Sequence, residues 1–366
     1  MKGKLISAVH IYVLLIMSTG FMVHVQILPV LLSTSNRDSW LSVIFSTIPF
    51  IIWILLVYYL YKKINGQTDI FSLLSKKVKY KWIYTLLNGI LGSYFLLVAL
   101  VTLKFTFIWA KGNYSLDTPD FVIIIMFAVV CFYASLKGLL TISTIAFISL
   151  PVVSIFGFTV GIGNTPRKDY ELLFPFFENG YSEFLQGILY SCSGLFDIVF
   201  LLFLTPFIQN KLKAKWLILT GFMLVCLILG PLTGALSEFG LQEAVKLRNP
   251  AYEEWRLLKI GEHITRLDFL SMFQWLSGAF VRISLCLFIV EKLFTFRKSA
   301  KWVLPTLYSI LILGVYIPWD AHSFFLFLKN IYFPISLGVQ IFILLFFLLL
   351  IHLAGEKHGE SKSEQS

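Results

Sequence analysis

The chain has 366 residues, of which 58% are hydrophobic and only 14% charged, and its mean hydropathy is +0.82. A soluble domain carries about 25% charged residues, so a water-soluble globular domain is excluded and the chain reads as a polytopic integral membrane protein. The net charge of +10 does not signal nucleic acid, because the basic residues gather at the ends of apolar runs, where they set topology.

The apolar runs are continuous and near 20 residues long, which fits membrane helices; barrel strands are about 10 residues of alternating polarity. The N-terminus, MKGKLISAVHIYVLLIMSTG, has the look of a secretory leader. Its apolar run continues to Leu32 without a small-residue cleavage site, so it is read as the first span. Ten spans follow in order, over 6–32, 40–61, 82–110, 121–135, 139–162, 184–208, 216–236, 268–293, 302–317 and 333–353.

Charge tests this count. With the N-terminus inside, the inner segments hold Lys62, Lys63, Lys76, Lys77, Lys79, Lys81, Lys137, Lys211, Lys213, Lys215, Lys292, Arg297, Lys298 and Lys301. The short outer loops hold only Arg37, Lys111, Arg167, Lys168 and Lys329. Alternation therefore works with both ends inside.

Two connections look structured. Over 69–82, Ile70, Leu73, Leu74 and Val78 recur at helical spacing with lysines on the other face, as in an amphipathic helix on the inner surface. Over 241–266, Asn249-Pro250 suits a helix start and Gly261 a stop, which predicts a helix–turn–helix cap on the outer mouth. The tail, 355–366, is polar and reads as disordered and cytoplasmic. The remainder, 1–354, is a single transmembrane domain.

Spans one and six break the apolar rule. The first carries Ser18, Thr19 and Gly20, then His24, Gln26 and Pro29; the sixth carries Ser191, Ser193, Gly194 and Asp197, then Pro206. An ionised carboxylate in hydrocarbon costs at least ~2.5 kcal/mol. Irregular backbone at membrane depth survives only where protein or a water-lined cavity covers it. Both spans therefore read as broken helices beside a polar cavity. They open two sets of five, 6–162 and 184–353, and an odd repeat length inverts the second set. The fold class is an all-α polytopic membrane protein with a five-plus-five inverted repeat. Helices broken at corresponding places in two inverted halves point to a midplane binding site. Free N–H groups at half-helix N-termini would suit a carboxylate, hence an amino acid or another small zwitterion. Kinked helices packed through small residues would explain the same letters.

The whole chain resembles the spore germination permease family, the B-type subunits of nutrient germinant receptors within the amino acid–polyamine–organocation superfamily. The likeness is carried by STGFMVHVQILPVLL in span one, DYELLFPFFENGYSEFLQG before span six, RLDFLSMFQWLSGAFVRIS entering span eight and YIPWDAH closing span nine. Many relatives have Gly-x-Gly in the first span, where this chain has a lone Gly20. The resemblance implies the inverted-repeat fold, with a ligand held between spans one, three, six and eight and span ten as a further candidate. It also implies a complex with an A-type membrane subunit and a C-type lipoprotein in the inner spore membrane, both termini on the core side.

Within that frame Thr19, Gly20, Ser193 and Gly194 are the candidates to meet the ligand, with Tyr94, Phe273 and Trp275 as walls. Asp197 and Arg282 are the deepest charges, Asp197 lying ~20 Å from the outer end of its helix. They are predicted to pair, either as a gating element or as a buried structural pair. His24 is a candidate titrating group or a hydrogen-bonded core residue. Lys104 is expected to snorkel to the surface. Asp320 and His322 are expected to be solvated at the outer mouth. Cys131, Cys192, Cys226 and Cys286 sit in apolar runs without metal or disulfide spacing.

No nucleophile–base set, zinc motif or phosphate loop is present, so no enzyme activity, cofactor or metal is expected. The leading expectation is a sensor that binds a small nutrient germinant, an amino acid or similar metabolite, and signals to its partner subunits. The alternatives are a secondary amino-acid transporter coupled to protons or sodium, and an ion or water conduit opened during germination.

Overall fold

The computed structural model describes residues 5–65, 70–71, 81–178, 180–259, 261, 263–295 and 301–363, with side chains to 352. The amphipathic stretch expected over 69–82 lies almost wholly outside them.

The described residues contain nine helices long and apolar enough to cross a membrane and one shorter apolar helix, Val303–Val315. Together they make the ten predicted spans. Span one runs Ala8–Phe21, a π-helical turn Met22–Gln26, then Leu28–Ser35. Span two is Ser39–Asn65, span three Lys81–Asn113, span four Asp120–Lys137 and span five Leu139–Gly163. Span six runs Tyr181–Leu195, a 3₁₀ segment Phe196–Phe200, Leu201–Leu204, and a last 3₁₀ turn Thr205–Phe207. Span seven is Ala214–Ala244, span eight Leu270–Thr295 and span nine Val303–Val315.

Span ten starts earlier than the hydropathy suggests. It comprises Ala321–Phe327, a π turn Leu328–Tyr332 and Phe333–Ser363. Asp320 is its N-cap, accepting from the backbone N–H groups of His322 and Ser323. The helix runs on into the segment read as tail.

Helix pairing carries the repeat. Span one packs on spans seven and five, and span six packs on spans two and ten; adding five to each number turns one pair set into the other. The same shift relates four–eight to nine–three and three–four to eight–nine, while two–seven, three–eight and four–nine map onto themselves. The one–eight, five–eight and four–five pairs have no shifted counterpart of similar extent, so the correspondence between the halves is partial.

Burial locates the centre. In an 18-residue apolar stretch of spans six and eight 83% of residues are buried, against 28% in span four and 17% in span five. Spans six and eight therefore form the core, and four and five face outward. At one end a parallel bridge joins Ile6 to Ile208, with Ile6 N–H donating to Phe207 O at 2.8 Å and Gln209 N–H to Ile6 O at 2.9 Å.

A cap closes the other end. Gly240, at φ 70°, kinks the end of span seven, a conformation glycine adopts without steric cost. A short helix, Pro250–Leu257, follows, with Pro250 in its first turn as predicted. Residues 241–244, helical beyond the kink, and a turn precede it, so the expected helix–turn–helix is present in a short form whose longer helix is Pro250–Leu257. It seats on span seven at Gly234, where a Cβ would come within 2.6 Å of Glu254 Oε1. Asn164 Nδ2 donates to the Glu254 carbonyl at 2.7 Å, and Trp255 Nε1 to Gln274 Oε1 on span eight at 2.9 Å. Burial pushes Glu254 well above the usual carboxylate range; the charge of Glu238 adds to this and Lys168 opposes it.

Lys104 does not snorkel. It is buried and donates to the carbonyls of Val315 and Ile317 at 2.7 and 2.9 Å, closing the C-terminal end of span nine.

Candidate functional site

The sequence places the interruptions at Gly20 and Gly194, and the structure moves both toward the C-terminus. Span one changes pitch over Met22–Gln26 and span six over Phe196–Phe200. Neither helix comes apart as expected; each stays wound and switches hydrogen-bond register. Gly20 and Gly194 are closed by packing. A Cβ on Gly20 would lie 3.3 Å from Leu227 Cδ1, and one on Gly194 3.1 Å from Ile27 Cδ1 and Val23 Cγ1.

Pitch changes free backbone groups. The Met22 N–H bonds the Thr19 carbonyl, one residue short of its α-helical partner. That partner, the Ser18 carbonyl, accepts from Arg282 Nη1 at 3.0 Å. In span six the Ser193 carbonyl accepts from Gln340 Nε2 at 3.0 Å. Each altered span thus offers a main-chain oxygen to a polar side chain on another span.

The predicted charge pair forms. Arg282 Nη2 lies 2.6 Å from Asp197 Oδ2, and both side chains are 0% exposed. Arg282 Nη2 is also 2.9 Å from Met22 Sδ, and its guanidinium lies over the Phe200 ring at 5.8 Å. The other carboxylate oxygen, Asp197 Oδ1, accepts from Gln340 Nε2 at 2.6 Å. A primary amide has two hydrogens, and Asp197 and Ser193 take them. Tyr94 Oη and Ser336 Oγ, both 3.2 Å from that nitrogen, share a hydrogen bond with each other at 2.9 Å. The result is a buried network spanning helices one, three, six, eight and ten.

Of the nine predicted site residues, Tyr94, Ser193, Asp197 and Arg282 meet in this network. Thr19 is fully buried and its hydroxyl has no partner. Gly20 and Gly194 flank the network behind their side-chain contacts. Trp275 is buried and stacks on Trp109, with centroids 4.2 Å apart and planes 5° apart, while Phe21 meets its edge. Phe273 does not join the wall. It is 43% exposed and packs edge-on to Phe156, because the two aromatics lie two residues apart on one helix and face different ways. His24 Nδ1 donates to the Leu227 carbonyl at 2.9 Å, which ties span one to span seven.

The residues missed are Gln340 and Ser336. Their signal was present: two polar side chains four apart, on one helix face, inside the apolar run FPISLGVQIFILLFF. Gln26 is a further case, fully buried in the π turn with neither amide atom partnered.

The arrangement makes a buried polar joint between spans one, six and eight. Arg282 of span eight, without solvent access, holds both helices whose backbone is in an altered register, span six through Asp197 and span one through the Ser18 carbonyl. A change at either helix must reorganise the shared hydrogen bonds.

Comparison with known proteins agrees with this geometry. The family profile described as "Spore germination protein" matches residues 6–324. The chain is 37% identical over 344 residues to spore germination protein XB of Bacillus anthracis, covering 93% of this chain and 96% of that protein. It is 27% identical over 179 residues to spore germination protein GerQB of Bacillus cereus, 48% of each chain. A ten-helix membrane fold with two altered spans, matched over nearly its whole length, places the chain in the spore germination permease family.

Proposed function

We propose that this protein is the membrane subunit of a spore nutrient germinant receptor. It binds a small germinant, an amino acid or similar metabolite, beside the altered turns of spans one and six. It acts with an A-type membrane subunit and a C-type lipoprotein in the inner spore membrane, both termini toward the core, and performs no chemistry on its ligand. The observation that supports this reading is that Arg282 of span eight links the two altered spans without solvent contact, pairing with Asp197 of span six at 2.6 Å and donating to the Ser18 carbonyl of span one at 3.0 Å. A ligand that prefers one arrangement of these spans shifts the equilibrium by its differential affinity, and the partners read the shift. Entry of a ligand at Gly20 or Gly194 requires Leu227, Val23 and Ile27 to move, so binding and rearrangement are one event.

The test is direct. The full-length protein, with its partner subunits, is reconstituted in vesicles and supplied with each of the common amino acids in labelled form. A sensor binds a labelled nutrient with little accumulation. Steady accumulation driven by a proton or sodium gradient would instead establish a transporter, and conductance or water flux without bound nutrient a conduit. Spores whose copy carries Gly194→Leu should make the protein but fail to respond.

A further inference from the structure

The chemistry around Arg282 bears on how the joint is driven. In transporters with interrupted helices, the coupling cation is held by main-chain carbonyls freed at the interruptions, together with nearby oxygen ligands. Here a carbonyl freed at the pitch change of span one, Ser18 O, and the carboxylate of span six, Asp197, both face the same positive group at 3.0 and 2.6 Å. That group is the guanidinium of Arg282, covalently part of span eight and 0% exposed. Met22 Sδ at 2.9 Å and the face of Phe200 at 5.8 Å pack against the same guanidinium.

We infer that the Arg282 guanidinium is a tethered cation that permanently occupies the place of an exchangeable alkali ion, so that the rearrangement of spans one and six runs without sodium or potassium. The inference rests on the reading that these two spans form the responsive element. Three features carry it. The positive charge cannot leave, because the group is anchored to its helix. It cannot lose its charge, because an arginine stays protonated in proteins. The carboxylate it neutralises has one oxygen on the guanidinium and the other on Gln340 at 2.6 Å. An ion-coupled cycle needs the cation to bind in one state and dissociate in another. A resident guanidinium supplies the charge in both, and only ligand occupancy is left to bias the equilibrium. This also separates the protein physically from an ion-coupled carrier of the same fold.

The experiment uses the purified full-length protein and needs no nutrient, so it reports on the cation site even where the germinant assignment fails. Thermal unfolding is followed in sodium, potassium and choline chloride at equal ionic strength. The wild-type midpoints should agree within about 1 °C, because a cation that binds only the folded state would raise the midpoint through mass action. Arg282→Ala vacates the site and leaves Asp197 and Ser18 facing it. Guanidinium at millimolar concentration should raise the midpoint of this variant by about 3 °C or more, while urea, of the same shape and uncharged, should not. The wild-type arm stands alone where the variant fails to fold. A wild-type midpoint that rises specifically in sodium or potassium would overturn the inference. So would equal effects of guanidinium and urea on a folded Arg282→Ala protein. In spores, a nutrient response that falls tenfold when choline replaces both alkali ions would overturn it as well.

Discussion

Replacing Asp197 by Asn keeps the shape of the network and removes one charge. The Arg282 guanidinium then remains fully buried without its counter-ion. Unit charges 4 Å apart attract by about 4 kcal/mol at an effective dielectric of about 20. The contact here is 2.6 Å between atoms, with the charge centres somewhat farther apart. Removing one partner of a buried pair costs about 3–5 kcal/mol, because an uncompensated charge stays inside. Both routes give the same scale. The double variant Asp197→Leu/Arg282→Met deletes the pair together with its desolvation cost, and it should recover most of that stability. Thermal unfolding of the purified full-length single, double and wild-type proteins measures this. The nutrient response of spores carrying each measures function. The expected pattern is an unstable single variant, a stable double variant, and no response from either. A single variant within about 1 kcal/mol of wild type would contradict the electrostatic reasoning. A double variant that responds normally would reduce the pair to scaffolding.

Further outcomes follow from the same geometry. Gln340→Leu leaves Asp197 Oδ1 and the Ser193 carbonyl without their donor, which should cost about 1–3 kcal/mol per orphaned group and impair the response; an unaffected unfolding midpoint would show that the network reorganises freely. Gly194→Leu places a side chain where even a Cβ lies 3.1 Å from Ile27 and Val23. It should insert and abolish the response, and a normal dose–response curve in spores would remove Gly194 from the mechanism. Glu254 should give a pH signature. Burial raises its pKa above the unfolded value, so between the two values the folded protein holds the extra proton. Its contribution is fully present below about pH 4.3, the unfolded value, and is lost as pH rises. The unfolding midpoint should fall from about pH 5 to about pH 8, less so in Glu254→Gln. Equal slopes in the two proteins would exclude Glu254 as the source.

Much of the architecture was readable from the sequence because lipid imposes a single-residue criterion. Each of the ten spans announces itself by its own hydropathy. The charge pair was also readable, since two ionisable groups at midplane depth have few stable arrangements other than contact with each other. The breaks were placed a few residues early. Glycine marks where a backbone can yield, but the register change settles where a side chain from another helix claims the carbonyl, and Arg282 stands 264 positions from Ser18. Gln340 went unread for a related reason. Its acceptors, Asp197 and Ser193, are 143 and 147 positions away, and nothing in the surrounding leucines and phenylalanines points toward them. The late start of span ten was an error of local signals. Gly261, read as a stop, lies at φ 63° four residues beyond the end of the Pro250–Leu257 helix. Asp320 is exposed as expected and also caps the first turn of span ten, a role its hydropathy does not signal.

The clip between Ile6 and Ile208 has a mechanical consequence. Two backbone hydrogen bonds fasten the start of span one to the chain leaving span six. Any relative motion of the two spans that keeps those bonds must pivot there. Gln26 is 20 residues along, about 30 Å of helix at 1.5 Å per residue. On a lever of that length, a tilt of about 10° sweeps the far end by about 5 Å and barely stirs the fastened end. Displacement is therefore largest under the cap, at the opposite face from the clip.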